Sequence, residues 1–359
     1  METSIYKKII ENLLDTIEKN CNTDGFKLPS EKSLATKFNS SHAPVRKAYQ
    51  NLKDRGYIES IHGKGYFITK NYKAKRAAAG IAQSSKNICF ITPVLKTDFI
   101  RQIIYGIQSF CDTHGLELSI KLSEQSIQKE KRFLSRLEAS DIKGVIICPA
   151  DNEFYNEELL RLSLKKFPIV LVDRYLKGLH LAFIASDGHK AMSDIVALLH
   201  KKQHKNITFI AANVVSAAEE RINGFRYGLI KHYGNIKANN VLEIDPYNPV
   251  NQKRAMINHL KKYPDTDAVI ATGADAMAVI GAAAELNIPL PEKLKLVLFD
   301  SELPESETRA ASYILEQNSY GIGYEAAEIL YKQIYGDRDI VTKRLPIKIT
   351  DCSLLPDKA

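Results

Sequence analysis

The chain has 359 residues, 45% of them hydrophobic and 26% charged, proportions that exclude a disordered polymer and allow two or three domains with sizeable cores. No run approaches the roughly 18 apolar residues of a membrane span, and the opening METSIYKKIIENLLD mixes charge with apolar residues where a signal peptide would carry an apolar core. The five cysteines show no paired spacing, so the expectation is a cytoplasmic chain with no disulfide framework, metal site or cofactor, and no membrane partner.

The net charge of +8 is unevenly placed. Residues 1–86 hold 16 of the 50 Lys and Arg and 8 of the 42 Asp and Glu, so the excess lies there and the remainder is neutral. Such asymmetry points to a polyanion-binding module attached to a neutral one.

Residues 4–19 carry Ile5, Ile9, Leu13 and Ile17 at helical spacing. After the turn Asp24-Gly25, Ser30 can cap a helix that begins at Glu31 and ends near Phe38. Ser40 or Ser41 caps a third helix, with Pro44 in its first turn, Val45, Ala48, Tyr49 and Leu52 inward, and Gly56 as its stop. Two strand-like runs, 57–61 and 66–69, flank His62-Gly63-Lys64-Gly65. This is the element order of a winged helix-turn-helix. Residues 1–70 are therefore read as a DNA-binding domain, 71–86 as a small, polar linker, and 87–359 as the body.

In the body, short apolar runs alternate with helical patterns. Strands are expected at 88–92, 116–120, 144–148, 168–172, 207–211, 268–272 and 295–299, with amphipathic segments near 99–113, 126–139, 155–166, 188–202, 217–233, 251–262 and 274–287. Apolar runs flanked by helices imply α/β architecture with parallel sheets covered on both faces. The length implies two such lobes, with a ligand cleft at the strand carboxyl ends.

The ordered set Leu28-Pro29-Ser30-Glu31-Lys32, Leu34-Ala35, Val45-Arg46-Lys47-Ala48, Leu52, Gly56-Tyr57-Ile58 and His62-Gly63-Lys64-Gly65-Tyr66-Phe67 resembles the GntR family of bacterial transcription regulators. By that resemblance Lys32, Ser41, His42 and Arg46 match DNA-touching positions, and His62 and Gly63 match the wing tip. Arg46, one turn into its helix, can fork onto guanine O6 and N7. His42 stands where the family commonly has Arg, which weakens one contact or makes it pH-dependent.

The strings at 142–147, 168–174, 186–188, 220–226, 275–278 and 297–300 resemble the LacI/periplasmic sugar-binding fold. A GntR head on a LacI-type body is the arrangement of the arabinose repressor group. The resemblance implies effector contacts by Asp173, Arg221 and Asp300, with Arg174 in reach and Phe183 and Tyr247 as stacking aromatics. Carboxylates and guanidinium groups suit hydroxyls that both donate and accept. Asp275 reads as a helix cap, Gln317 as the final crossover, and Ala274 and Cys148 depart from the usual polar residues.

No Gly-x-Ser-x-Gly or phosphate loop is present, and His200-x-x-x-His204 lacks carboxylate partners nearby in sequence. The expectation is a non-enzymatic homodimeric repressor of carbohydrate-utilisation genes that binds pseudo-palindromic double-stranded operator DNA and is released by a monosaccharide or derivative. The alternatives are an activator or corepressor-dependent repressor with a non-sugar effector, and a carbohydrate-binding or carbohydrate-active protein without DNA regulation.

Overall fold

The computed structural model describes residues 5–20, 25–54, 56–61, 63–69, 87–150, 156–176, 178–211, 216–244, 248–273, 275–300, 309–337 and 339–354. The chain divides into two units, Met1–Ser85 and Lys86–Ala359. The linker expected at 71–86 falls outside the described residues, and no described helix is long and apolar enough to cross a membrane.

The first unit packs α1 (Ile5–Asn20), α2 (Glu31–Lys37) and α3 (His42–Asp54) around one core. Ile9, Leu13 and Ile17 meet Leu34, Val45, Tyr49 and Leu52, all at most 1% exposed. Burying each such aliphatic contributes about 1.5–3 kcal/mol. Ile5 was expected on the same stripe but is 39% exposed: steps of four residues drift round the helix, so three of them carry Ile5 off the buried face. Ser30 caps α2, its hydroxyl accepting from the Ser33 amide at 3.1 Å. At Gly56 (φ +71°) the chain leaves α3 in a left-handed turn.

Strands β1 (Ile58–Ile61) and β2 (Gly65–Ile68) form the antiparallel hairpin, Ile58 opposite Ile68. The segment before α2 lines the other edge of β2, a pairing the sequence reading did not include. Leu28 donates to the Tyr66 carbonyl at 2.9 Å and Ile68 to that of Phe26 at 3.0 Å.

The second unit holds two six-stranded sheets. The first runs β13-β7-β6-β5-β3-β4, built from β3 (Asn87–Thr92), β4 (Glu117–Leu122), β5 (Ile142–Ile147), β6 (Ile169–Val172), β7 (Ala182–Ser186) and β13 (Thr342–Leu345), all parallel. The second runs β14-β12-β11-β10-β8-β9, from β8 (Ile207–Ala211), β9 (Val241–Glu243), β10 (Ala268–Thr272), β11 (Lys295–Phe299), β12 (Tyr313–Glu316) and β14 (Lys348–Asp351). Only β14 pairs antiparallel there. Period-two alternation places Phe90, Ile146, Val170 and Ile184 on one face of the first sheet and Ile91, Val145, Leu171 and Phe183 on the other.

Helices α4 (Asp98–His114), α5 (Ile127–Ser135) and α6 (Glu157–Leu164) follow strands of the first sheet. Helices α7 (Gly188–Lys201), α8 (Ser216–Tyr233), α9 (Pro249–Lys262) and α10 (Asp275–Glu285) belong to the second. The chain crosses between lobes three times: after β7, after β12 into α11 (Ser319–Ile334), and between β13 and β14. Helix α11 returns to the first lobe against α4, where Gly106 and Gly323 permit backbone contact. A Cβ on Gly323 would lie 2.0 Å from the Ile103 carbonyl oxygen.

Candidate functional site

In the first unit Lys32, Ser41, His42, Arg46 and Gly63 are all exposed, grouped on the amino-terminal halves of α2 and α3 and in the wing turn. His62 lies outside the described residues. Arg46 is 72% exposed, with its Nε 3.5 Å from the Glu31 carboxylate. Glu31 also accepts from the Tyr66 hydroxyl at 3.0 Å, and the Tyr66 ring stacks on Tyr49 at 4.0 Å between centroids, 7° from parallel. The Tyr49 hydroxyl donates to the Pro29 carbonyl. Burial pushes the Tyr49 phenol up, and burial with the Glu31 carboxylate does the same to Tyr66, so both remain neutral donors. The wing is thereby tied to α3, and Arg46 is aimed by Glu31 without being buried.

In the second unit, β6 and β11 each end in an aspartate of left-handed backbone, Asp173 (φ +64°) and Asp300 (φ +59°). Each amide still pairs with the neighbouring strand, Asp173 with the Ile184 carbonyl at 3.1 Å and Asp300 with that of Leu315 at 3.0 Å. The two lobes thus place a carboxylate by the same device, at a cost of roughly 1–2 kcal/mol each.

The Asp300 carboxylate accepts from the Gln317 amide at 3.3 Å and from the Gln317 side chain. Burial raises its pKa, opposed by Arg221 and by these hydrogen bonds. Arg221, from α8, lays its guanidinium 3.9 Å above the Phe299 ring. Burial lowers its pKa, while Asp173 and Asp300 act against that. A Cβ on Gly188 would come within 3.2 Å of the Arg221 Cγ, so glycine there leaves the arginine its place. Arg174 donates to the Pro149 carbonyl at 2.9 Å, with its Nε 3.5 Å from Asp173. This pairs Arg174 with Asp173, and Arg174 itself is not among the residues lining the cleft.

Asp173, Arg221 and Gln317 meet Tyr175, Ala185, Ser186, Gly188, Glu220 and Phe299 around a cleft of about 290 Å³, counting its part open to solvent. The Ser186 hydroxyl is buried and makes no hydrogen bond among the described residues. Two carboxylates, a guanidinium, an amide and a hydroxyl converging on one hollow can bind vicinal hydroxyls through charge-assisted bonds.

One expected aromatic falls elsewhere, and the other lies outside the described residues. Phe183 is 5% exposed and packs in the core beneath the first sheet, edge-on to Tyr175 at 5.3 Å. Residues on a strand covered on both faces alternate between two cores, and the position of Phe183 points into one of them. Tyr247 lies outside the described residues, as does Ala274. Asp275 begins α10 and accepts from the Thr272 hydroxyl at 2.8 Å. His204 lies 3.8 Å from Asp267. Among the described residues no three His, Cys, Asp or Glu side chains are grouped to hold a metal ion.

Residues 85–296, well over half of the chain, match the periplasmic binding proteins and sugar binding domain of LacI family. The chain belongs to this family. Ahead of its LacI-type body, residues 5–68 match the bacterial regulatory proteins of the gntR family. An arabinose metabolism transcriptional repressor of Halalkalibacterium halodurans is 24% identical over 321 residues, 87% of this chain and 84% of that one. The HTH-type transcriptional regulator KdgR of Bacillus subtilis is 23% identical over 273 residues, 75% of this chain and 80% of that one. The crystal structure of GanP, a glucose-galactose binding protein from Geobacillus stearothermophilus, superimposes with a TM-score of 0.65 at 20% identity, covering 75% of this chain and 98% of that one.

The LacI-type cleft is also lined by Tyr175, Ala185, Ser186, Gly188, Glu220 and Phe299, to which the sequence assigns no effector contact. Ser186, Gly188, Glu220 and Phe299 stand inside the strings quoted from the sequence, and Tyr175 and Ala185 stand next to them or to Arg174. Phe299 precedes Asp300, Glu220 precedes Arg221, and Ser186 and Gly188 flank Asp187. A strand that ends in the cleft delivers its last few residues there together, and that was the available signal.

Proposed function

We propose that this chain is a cytoplasmic transcriptional repressor of carbohydrate-utilisation genes whose LacI-type cleft binds a small sugar and thereby releases operator DNA. The observation that carries the reading is that one chain joins a winged helix with Arg46 exposed on α3 to a cleft lined by Asp173 from one lobe and Arg221 from the other, with Asp300 near enough to act on the charge of Arg221. The similarity to regulators, one of them an arabinose metabolism repressor, supports it. Lys32, Ser41, His42, Arg46, His62 and Gly63 contact DNA in this reading, and a homodimer places two heads on two half-sites one helical turn apart. Asp173, Arg221 and Asp300 take the hydroxyls of the sugar, with Ser186 and Gln317 adding neutral hydrogen bonds. A ligand that bonds to both lobes lowers the free energy of the arrangement in which they are close, and a dimer reads that shift as a changed separation of its heads. The cleft binds the sugar and does not turn it over.

The test is a thermal-shift screen of the full chain against neutral pentoses, hexoses, their phosphates and nucleosides. A ligand bound by the folded state alone stabilises it by about 2.7 kcal/mol at 100 times its dissociation constant. A melting temperature raised by a pentose or hexose, with that sugar recovered unaltered, is expected. Response to nucleosides alone, or conversion of the sugar, overturns the reading.

A further inference from the structure

Glu220 lines the cleft beside Arg221 yet contributes no hydrogen bond to its own lobe among those recorded for the described residues; its partner is across the cleft. It stands on α8, whose Phe225 and Leu229 are buried in the core of the second lobe. Its carboxylate accepts from Arg344 through both Nη2, at 2.5 Å, and Nε, at 3.5 Å. Arg344 stands on β13, hydrogen-bonded to β7 in the first lobe, with Arg344 paired to Ala185 in register. The Arg344 guanidinium lies 5.6 Å from the centroid of the Phe183 ring, so Phe183, displaced from the cleft, underlies this arginine. The other ion pairs recorded in the second unit join elements of a single lobe, as Lys343 to Glu325, Lys253 to Glu285 and Lys348 to Glu316 do. The Glu220 side chain is 17% exposed and that of Arg344 36%, so the carboxylate is the better shielded partner, and the two-pronged guanidinium–carboxylate geometry is the kind in which a pair near the surface contributes.

We propose that Glu220 and Arg344 are positioning residues that form a latch between the lobes, setting how closely they approach and holding Tyr175 and Arg221 to a common cleft wall. The latch regulates the same cleft to which the sugar was assigned and rests on that assignment for its biological meaning. Its physical claim concerns the lobes alone, so the test uses no ligand and no DNA.

In the full chain with Cys21 and Cys352 replaced by Ser, spin labels are placed at Glu157 on α6, whose side chain is 84% exposed, and at Lys261 on α9, also exposed. Electron–electron dipolar spectroscopy then reads the separation of the lobes. E220Q and R344Q are each expected to broaden the distances and shift them longer. The double variant is expected to add nothing beyond either single change, since both remove one interaction. The charge swap E220R/R344E is expected to restore the original distribution. An unchanged distribution in E220Q and R344Q, or effects that simply add in the double variant, overturns the latch. The single glutamine variants, of which E220Q is isosteric, carry this decision even where the swap fails to fold.

Discussion

Arg46 faces two partners whose energies differ enough to decide its role. Its contact with Glu31 is exposed and 3.5 Å long, a class of pair worth about 0–1 kcal/mol. A bidentate guanine contact is worth about 1–3 kcal/mol of discrimination, so DNA can take the guanidinium from Glu31. Arg46→Ala should therefore erase preference for the specific site in an anisotropy titration. Lys32→Ala should weaken all sequences alike and reduce the salt slope by about one. Retained preference in Arg46→Ala would remove it from base recognition. A second residue-scale prediction concerns acid stability. Burial, with Lys262 adding to it, lowers the pKa of His259, whose Nε2 lies 2.9 Å from the Thr208 hydroxyl; burial lowers that of His204 too. The unfolded chain binds protons at these sites near pH 6.5 and the folded chain less readily. The stability they contribute is present above that pH and is lost as pH falls from there toward the folded-state values. Melts of wild type and His259→Gln at pH 7.5 and 5.5 should show the smaller loss in the variant; equal losses would contradict the assignment. Asp173, Arg221 and Asp300 were conspicuous in the sequence because each sits in a local string, at or just after a strand end or on a cleft-facing helix. Phe183 was not, since an aromatic on an apolar strand reads the same whether it faces a core or a cleft.

The elements that were legible are those whose hydrophobic pattern is strong by itself. All seven expected body strands and all seven expected helices are present, with ends moved by a few residues. Five strands, β7, β9, β12, β13 and β14, and helix α11 are not among the expected elements, although β7 (AFIAS) and β12 (YILE) are apolar. Strands β13 (TKRL) and β14 (KITD) carry too little apolar signal, because they lie at sheet edges. Helix α11 contains Gly321 and Gly323, which weaken helix propensity, yet its crossing with α4 requires the second of them. Gly323→Ala would set a methyl group 2.0 Å from the Ile103 carbonyl oxygen and should destabilise the body by about 1–3 kcal/mol. Gly281→Ala, on α10, meets only the flexible Lys253 side chain at 3.4 Å and should be neutral or stabilising by up to about 1 kcal/mol. Denaturant unfolding of the two variants checks the contrast; equal effects would refute the close-contact account of the α4–α11 crossing.

At the scale of the whole molecule, the excess positive charge lies in the first 86 residues and the paired charges line a cleft in the neutral remainder. On the proposed function DNA and sugar meet different parts of one chain, and their coupling is a free energy shared by both sites. Whatever factor the sugar takes from DNA affinity, DNA must take from sugar affinity, typically about 5–150-fold. Arg221→Ala should break that coupling from the sugar side alone, leaving a repressor that binds DNA and does not let go. The most direct measurement is fluorescence anisotropy of the full chain on a labelled duplex recovered from its own genome by affinity selection, titrated with and without each sugar of the thermal-shift panel, beside Arg221→Ala. One sugar is expected to weaken DNA binding by wild type at least about fivefold and to leave Arg221→Ala bound. A DNA affinity that no sugar alters, or equal release of Arg221→Ala, would contradict it.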